Sequence, residues 1–191
     1  MDHNILRSTR ELIDEVGYPA LTVDRVAARA GVGKAAIYRR YASKAEMAFV
    51  ATVHEQQLAP MVDTGSLPGD LLALVRAFHV RMAAPAARQL APALIGELSV
   101  NPELKTRFQD TFLATEQAAF AEIIERAVVR GELDGPVDPA MAHLLLLGSL
   151  ASALYILDLP VDDAMVTDLA AAAAAGITAL AARHHGGPVK A

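Results

Sequence analysis

With 191 residues, 53% hydrophobic and only 5% aromatic, the chain has the size of one domain, or of a small head on a larger body, and an Ala- and Leu-rich apolar share that favours helix over sheet. The absence of cysteine excludes a disulfide framework and a thiolate metal site, and it fits a reducing cytoplasm. The net charge of −5 is uneven: residues 1–50 carry eight Lys and Arg against six Asp and Glu, while 51–191 carry nine against sixteen, so the basic end suits a polyanion.

The first residues are studded with charges and lack an apolar segment, unlike a secretory signal. Ile5, Leu6, Thr9, Leu12, Ile13 and Val16 repeat at three- and four-residue steps and predict a first helix that stops at Gly17, before Pro19. Thr22 is placed to cap a second, which buries Val23, Val26 and Ala27 and ends at Ala30-Gly31. A third, short helix spans 34–41. A fourth opens at Ser43-Lys-Ala-Glu46, where Ser accepts a backbone N–H and Glu reaches back to the cap.

A Pro- and Gly-bearing stretch at 60–68 reads as a boundary. Helices then follow at about 69–84, 86–99, 102–130, 139–157 and 163–183, with Asn101-Pro102 and Asp138-Pro139 marking two starts, and 184–191 forms a frayed tail. No segment alternates with the period of a strand. The expected fold class is all-α, about nine helices: an N-terminal three-helix head with a helix-turn-helix at 22–41, in a domain of residues 1–50, joined to a larger helical body of residues 51–191.

The helix-turn-helix carries the functional signal. Residues 25–44 hold Arg25, Arg29, Lys34, Arg39, Arg40 and Lys44 with no acid among them. Gly31 and Gly33 permit the sharp turn, Val32 plugs the angle, and the N-terminal part of the third helix projects where it can enter a major groove. Lys34 and Tyr38 share one face of that helix, Ala35 and Arg39 the adjoining one, while Ile37 and Tyr41 point to the core. Lys34 can donate to guanine or phosphate, arginine can grip guanine with two bonds, and a tyrosine hydroxyl suits a phosphate oxygen. Small Ala35 allows close approach. Lys44 adds charge and backbone N–H groups at the start of the fourth helix. Arg25 and Arg29 either bind phosphate or pair with acids of the first helix, such as Asp14 or Glu11.

The run GYPALTVDRVAARAGVGKAAIYRRYASKAEM, 17–47, resembles the DNA-binding head of the TetR/AcrR family of one-component transcriptional repressors. The resemblance rests on the Gly before the second helix, its Thr cap, the turn, the I-Y-x-x-Y reading helix and the S-K-x-E opening. It implies phosphate contacts at Thr22, Tyr38 and Lys44 and base reading by Lys34, Ala35 and Arg39, with Arg40 nearby. Two departures stand out. Asp24 occupies a position where some members place a base-contacting arginine, and two arginines replace the frequent aromatic or His at Arg39–Arg40. The operator sequence therefore cannot be borrowed from another member.

In the body, 140–157 contains no formal charge and raises the question of a membrane span, but Asp138 and Asp158 flank it without a headgroup anchor. The last two helices are apolar almost all round, and Leu147, Gly148, Ala151, Ser152, Ala172 and Gly176 permit close pairing with a second copy; the resemblance implies the same dimer and removes the membrane reading. A dimer lets two short helices read a palindromic operator in double-stranded DNA. The resemblance also implies a cavity for an unidentified small-molecule effector, with Phe78, His79, Met82, Phe112, His143 and Tyr155 as wall or core. His79 and His143 lack metal-ligand spacing, His184-His185 is at most adventitious for metal, and no cofactor is expected. Neither a phosphate loop nor a Ser/His/Asp motif nor a purposeful carboxylate pair argues for an enzyme.

Overall fold

In the computed structural model, which describes residues 2–54 and 62–185, every regular element among the described residues is helical. The order is α1 (Asp2–Ala20), α2 (Val23–Ala30), α3 (Lys34–Tyr38), α4 (44–54), α5 (Leu67–Met82), α6 (Pro85–Val100), α7 (102–129), α8 (Pro139–Tyr155) and α9 (Asp163–His185). Helices α4, α7 and α8 each contain one wider turn, at Val50–His54, Gln109–Leu113 and Leu144–Gly148. The boundary read at 60–68 begins outside the described residues, and of the tail at 184–191 only the end of α9 lies within them.

The caps act much as their chemistry predicts. The Thr22 hydroxyl accepts the Arg25 N–H at 3.3 Å, the Asn101 side chain that of Leu104 at 3.1 Å, and Asp138 that of Ala140 at 2.9 Å. Gly17 breaks α1 at φ 76, so the regular part of that helix ends where the sequence places it. Two local expectations change. Ser43 caps α4 by accepting the Glu46 N–H at 3.0 Å, but the Glu46 carboxylate takes the N–H of Ala42 rather than that of the cap itself. Helix α3 ends at Tyr38, short of 41, because the Arg40 N–H tightens onto the Ile37 carbonyl at 2.9 Å.

The described residues fall into two compact units, 2–54 with 81–109 and 62–80 with 110–185. The first unit thus contains α6 and the start of α7 as well as the head helices. Leu90, 0% exposed, and Leu94, 3%, share one core cluster with Ile5, Leu12, Val26, Ile37 and Met47, and the rings of Phe49 and Phe108 meet at 5.5 Å. A three-helix head of about 50 residues buries little surface alone, and the added helix supplies the missing apolar wall.

In the second unit Phe120, Ile123, Leu146, Leu150 and Ile177 are fully buried. Asp70, 1% exposed near the start of α5, accepts the Thr64 backbone N–H at 2.7 Å and its hydroxyl at 2.8 Å, and it pairs with Arg126 at 3.3 Å and Arg130 at 3.2 Å. Burial pushes its carboxyl up, but the Thr64 and arginine donors outweigh that and hold it below the ordinary carboxylate range. A Cβ at Gly69 would collide with the Thr64 hydroxyl, so glycine is what lets this turn close. The uncharged stretch 140–157 lies in α8 as far as Tyr155, and Ile156 and Leu157 form the turn after it, so the helix expected to 157 ends two residues earlier. Helix α9, over Asp163–Arg183, is the one described helix long and apolar enough to cross a membrane, with 33% of its apolar window buried in the protomer.

Candidate functional site

Only one of the two turn glycines needs its freedom. Gly31 adopts φ 67, ψ 33 and closes α2 with its N–H on the Ala27 carbonyl, and the Val32 N–H joins the same oxygen at 3.0 Å. Gly33 sits at φ −73, ψ 145, an extended geometry open to any residue, so the expectation that both glycines bend the turn is corrected. Ala36 and Ile37 of α3 are buried and Tyr41 is 7% exposed, which leaves Lys34, Ala35, Tyr38 and Arg39 on the open side.

The cations divide sharply by what holds them. Both carboxylate oxygens of Asp24 lie 3.0 Å from the Lys34 Nζ, and that hydrogen bond raises the Lys34 pKa above its ordinary value. Arg40 pairs with Asp2 and donates to the Ala36 carbonyl at 3.3 Å. Arg29 grips Glu15 with two bonds of 2.6 and 2.7 Å, the bond to Arg29 lowering the Glu15 pKa, so its acid partner is Glu15 rather than Asp14 or Glu11. Arg25 donates to the Ala20 carbonyl at 3.2 Å. Lys44 lies 4.3 Å from the centre of the Tyr18 ring, with its Nζ 3.4 Å from the Tyr18 carbonyl. Arg39 is exposed, its backbone N–H donates to the Ala35 carbonyl at 3.2 Å, and its side chain has no hydrogen bond or ion pair among the described residues. Tyr38, 50% exposed, stands one residue before it.

One contributor lies far outside the helix-turn-helix. Arg107, in α7, donates to the Arg40 carbonyl at 2.8 Å and pairs with Glu46 at 3.0 Å, and the Glu46 side chain is only 7% exposed. Its guanidinium therefore ties the turn after α3 to the opening of α4. The sequence signal was faint: a Glu in a capping position whose burial no local pattern announces.

In the body, Phe78 and Phe112 are buried at 3% and 6% exposure, and His79 and Tyr155 are half-buried. The His143 Nε2 lies 2.8 Å from the Glu116 carboxylate, and its ring meets Phe120 edge-on at 5.8 Å. Met82 belongs to the unit of the head. A depression of about 390 Å³ opens elsewhere in the second unit, lined by Asp63, Glu122, Glu125, Arg126, Val129 and Arg130, and none of the six expected wall residues touches it.

Along α8, Met141 and Leu144 are exposed and Gly148, Ala151, Ser152 and Tyr155 half-exposed, one stripe at three- and four-residue steps. Along α9 the exposed positions are mostly alanine, Ala164, Ala171, Ala172, Ala175, Ala179 and Ala182, with Thr167, Asp168 and Thr178 among them. Leu147 is 4% exposed and serves its own protomer's core instead. Gly176 also works within the protomer, since a Cβ there would press on the Leu145 side chain at 3.1 Å.

Comparison with known proteins agrees with this architecture. Residues 5–51 match the family described as bacterial regulatory proteins, tetR family, and 61–173 match the tetracyclin repressor-like C-terminal domain. The chain is 38% identical over 130 residues to an HTH-type transcriptional regulator of Mycobacterium tuberculosis, Rv1556, covering 68% of this chain and 63% of that one, and so spans less than two thirds of that relative's length. It is 32% identical over 152 residues to the DNA-binding transcriptional repressor TetR of Mycobacteroides abscessus, covering 78% of this chain and 79% of that one. The crystal structure of the TetR family transcription regulator SCO0332 superposes with a TM-score of 0.75 at 32% identity, over 92% of this chain and 97% of that one. With both segments matched in order, and a relative this similar over most of its length, the chain belongs to the TetR family of bacterial transcriptional regulators.

Proposed function

We infer that this protein is a dimeric DNA-binding transcriptional regulator, a repressor that leaves a palindromic operator in double-stranded DNA when a small molecule occupies the body. The observation that carries the reading is the open side of α3. Tyr38 and an uncommitted Arg39 stand exposed beyond a tight glycine turn, where a hydroxyl suits a phosphate and a guanidinium suits guanine. Thr22 and Lys44 flank them as phosphate contacts, and Ala35 leaves room for the groove wall. The mostly small apolar exposed sides of α8 and α9 would be covered by a second copy rather than by lipid, and a palindrome asks such a dimer for two reading helices about 34–36 Å apart. The likeness to a named repressor supports the direction of control. A cytoplasmic site of action follows from the DNA target.

The direct test is binding of the purified protein to duplex DNA from its own upstream region across a series of salt concentrations. Specific binding whose affinity falls steeply as salt rises supports the reading. No shift at low salt anywhere in that region would sink it.

A further inference from the structure

Asp24 lies one position outside the acid-free window 25–44, on the side of the molecule that the reading above turns toward DNA. Its side chain is 71% exposed, yet it reaches from the first turn of α2 to the first residue of α3, where both its oxygens meet the Lys34 Nζ at 3.0 Å. An ion pair this open adds little to the stability of the fold. Its consequence lies in where the Lys34 ammonium can go.

We propose that Asp24 is a specificity-determining residue, which holds the Lys34 ammonium off the phosphate backbone and leaves its remaining N–H donors aimed at base edges. The proposal rests on the DNA-binding reading of this face. A lysine on a four-carbon stem reaches several phosphates, and each phosphate it neutralises adds affinity that is blind to sequence. Guanine O6 and N7 need a donor at a fixed place rather than a net charge. Two carboxylate oxygens fix the ammonium and cancel its charge toward the backbone. Arg40 is neutralised by Asp2 in the same way, so Arg39 alone among the cations of 34–40 keeps an unanswered charge. A lysine is charged at any physiological pH as it stands, and the hydrogen bond to Asp24 raises its pKa further.

The experiment compares wild type, Asp24→Asn, Lys34→Ala and the double variant in two measurements: selection from random duplex DNA, and affinity for the best selected site and for a random duplex between about 50 and 200 mM salt. Asp24→Asn is expected to bind random duplex more tightly at low salt, with the slope of log affinity against log salt steeper by about 0.9, an additional loss of about threefold over that range. Its selected motif should lose preference by about fivefold or more at the base pair that Lys34 contacts. In the Lys34→Ala background the Asp24→Asn change should alter neither slope nor motif. An unchanged slope and motif for Asp24→Asn, or the same changes persisting without Lys34, would overturn the proposal while leaving DNA binding intact. Failure of the wild type to bind any duplex would overturn both.

Discussion

In the head, Glu46 is buried against one arginine from a distant helix, and in the body Asp70 is buried against two. The interiors solve the same problem alike, since a carboxylate out of water must be met by charge and by hydrogen bonds. Their surfaces are opposites. The head presents Lys34, Tyr38 and Arg39, whereas α8 presents methionine, leucine and glycine and α9 mostly alanine, with Thr167, Asp168 and Thr178 between. A surface of fixed donors fits a polyanion with regular spacing, and one of small apolar side chains fits a close copy of itself. The interior holds each unit together, and the surface chemistry decides what it meets.

The largest expected effect breaks the interior half of that comparison. Asp70→Asn keeps an acceptor for Thr64 but leaves Arg126 and Arg130 without their shared charge, at a cost of about 3 kcal/mol in urea unfolding at neutral pH. The pH dependence has a definite sign. The folded-state pKa of Asp70 is depressed, so its contribution is fully present above the unfolded value of 3.8 and is lost as pH falls through the lower folded value. The variant should therefore show a shallower fall in stability on the acid side. Identical acid limbs for the variant and wild type would show that Asp70 is not held as described.

Arg107→Met tests the matching pair in the head. Its guanidinium is 42% exposed and Glu46 only 7%, so the loss should sit lower, at about 2 kcal/mol, with faster hydrogen exchange at the amides of 39–44. Adding Glu46→Gln should recover part of it, because no uncompensated charge then stays buried. If the two losses simply add, the pair is not the unit that its distances imply.

The two regions also differed in what could be read from residue types alone. Thr22, Gly31, Asn101 and Asp138 act through bonds to residues at most four places away, so their spacing carries their function. The apolar period of α1 and α2 likewise placed Ile5, Leu12 and Val26 in the core. Arg107 with Glu46, Asp70 with Arg126 and His143 with Glu116 join residues 27 to 61 apart, and nothing local distinguishes them from solvated charges. Leu147 shows the same limit for apolar runs. In four successive leucines the period vanishes, and only packing tells that Leu147 turns inward while Leu144 stays 61% exposed.

On the surface half, Arg39→Ala removes the uncommitted cation at the end of α3 and should lower operator affinity about tenfold or more while relaxing the selected motif at one base pair. Tyr38→Phe removes only a hydroxyl and should weaken all duplexes about equally. Selection from random DNA separates them, and an unaltered motif for Arg39→Ala would remove arginine from the base-reading set.

The smallest effect separates two roles of one hydroxyl. Thr22 Oγ1 accepts the Arg25 N–H at 3.3 Å, and its own hydrogen remains available to a phosphate oxygen. Thr22→Ala should lose about 1 kcal/mol of head stability and weaken DNA binding as well. Thr22→Asp keeps a good cap at the positive end of α2, yet it places a carboxylate where the phosphate would sit. That variant should match wild type in urea unfolding and still bind every duplex more weakly than Thr22→Ala does. Should the Asp variant bind DNA as well as wild type, Thr22 is a cap alone and the phosphate-contacting face begins at α3.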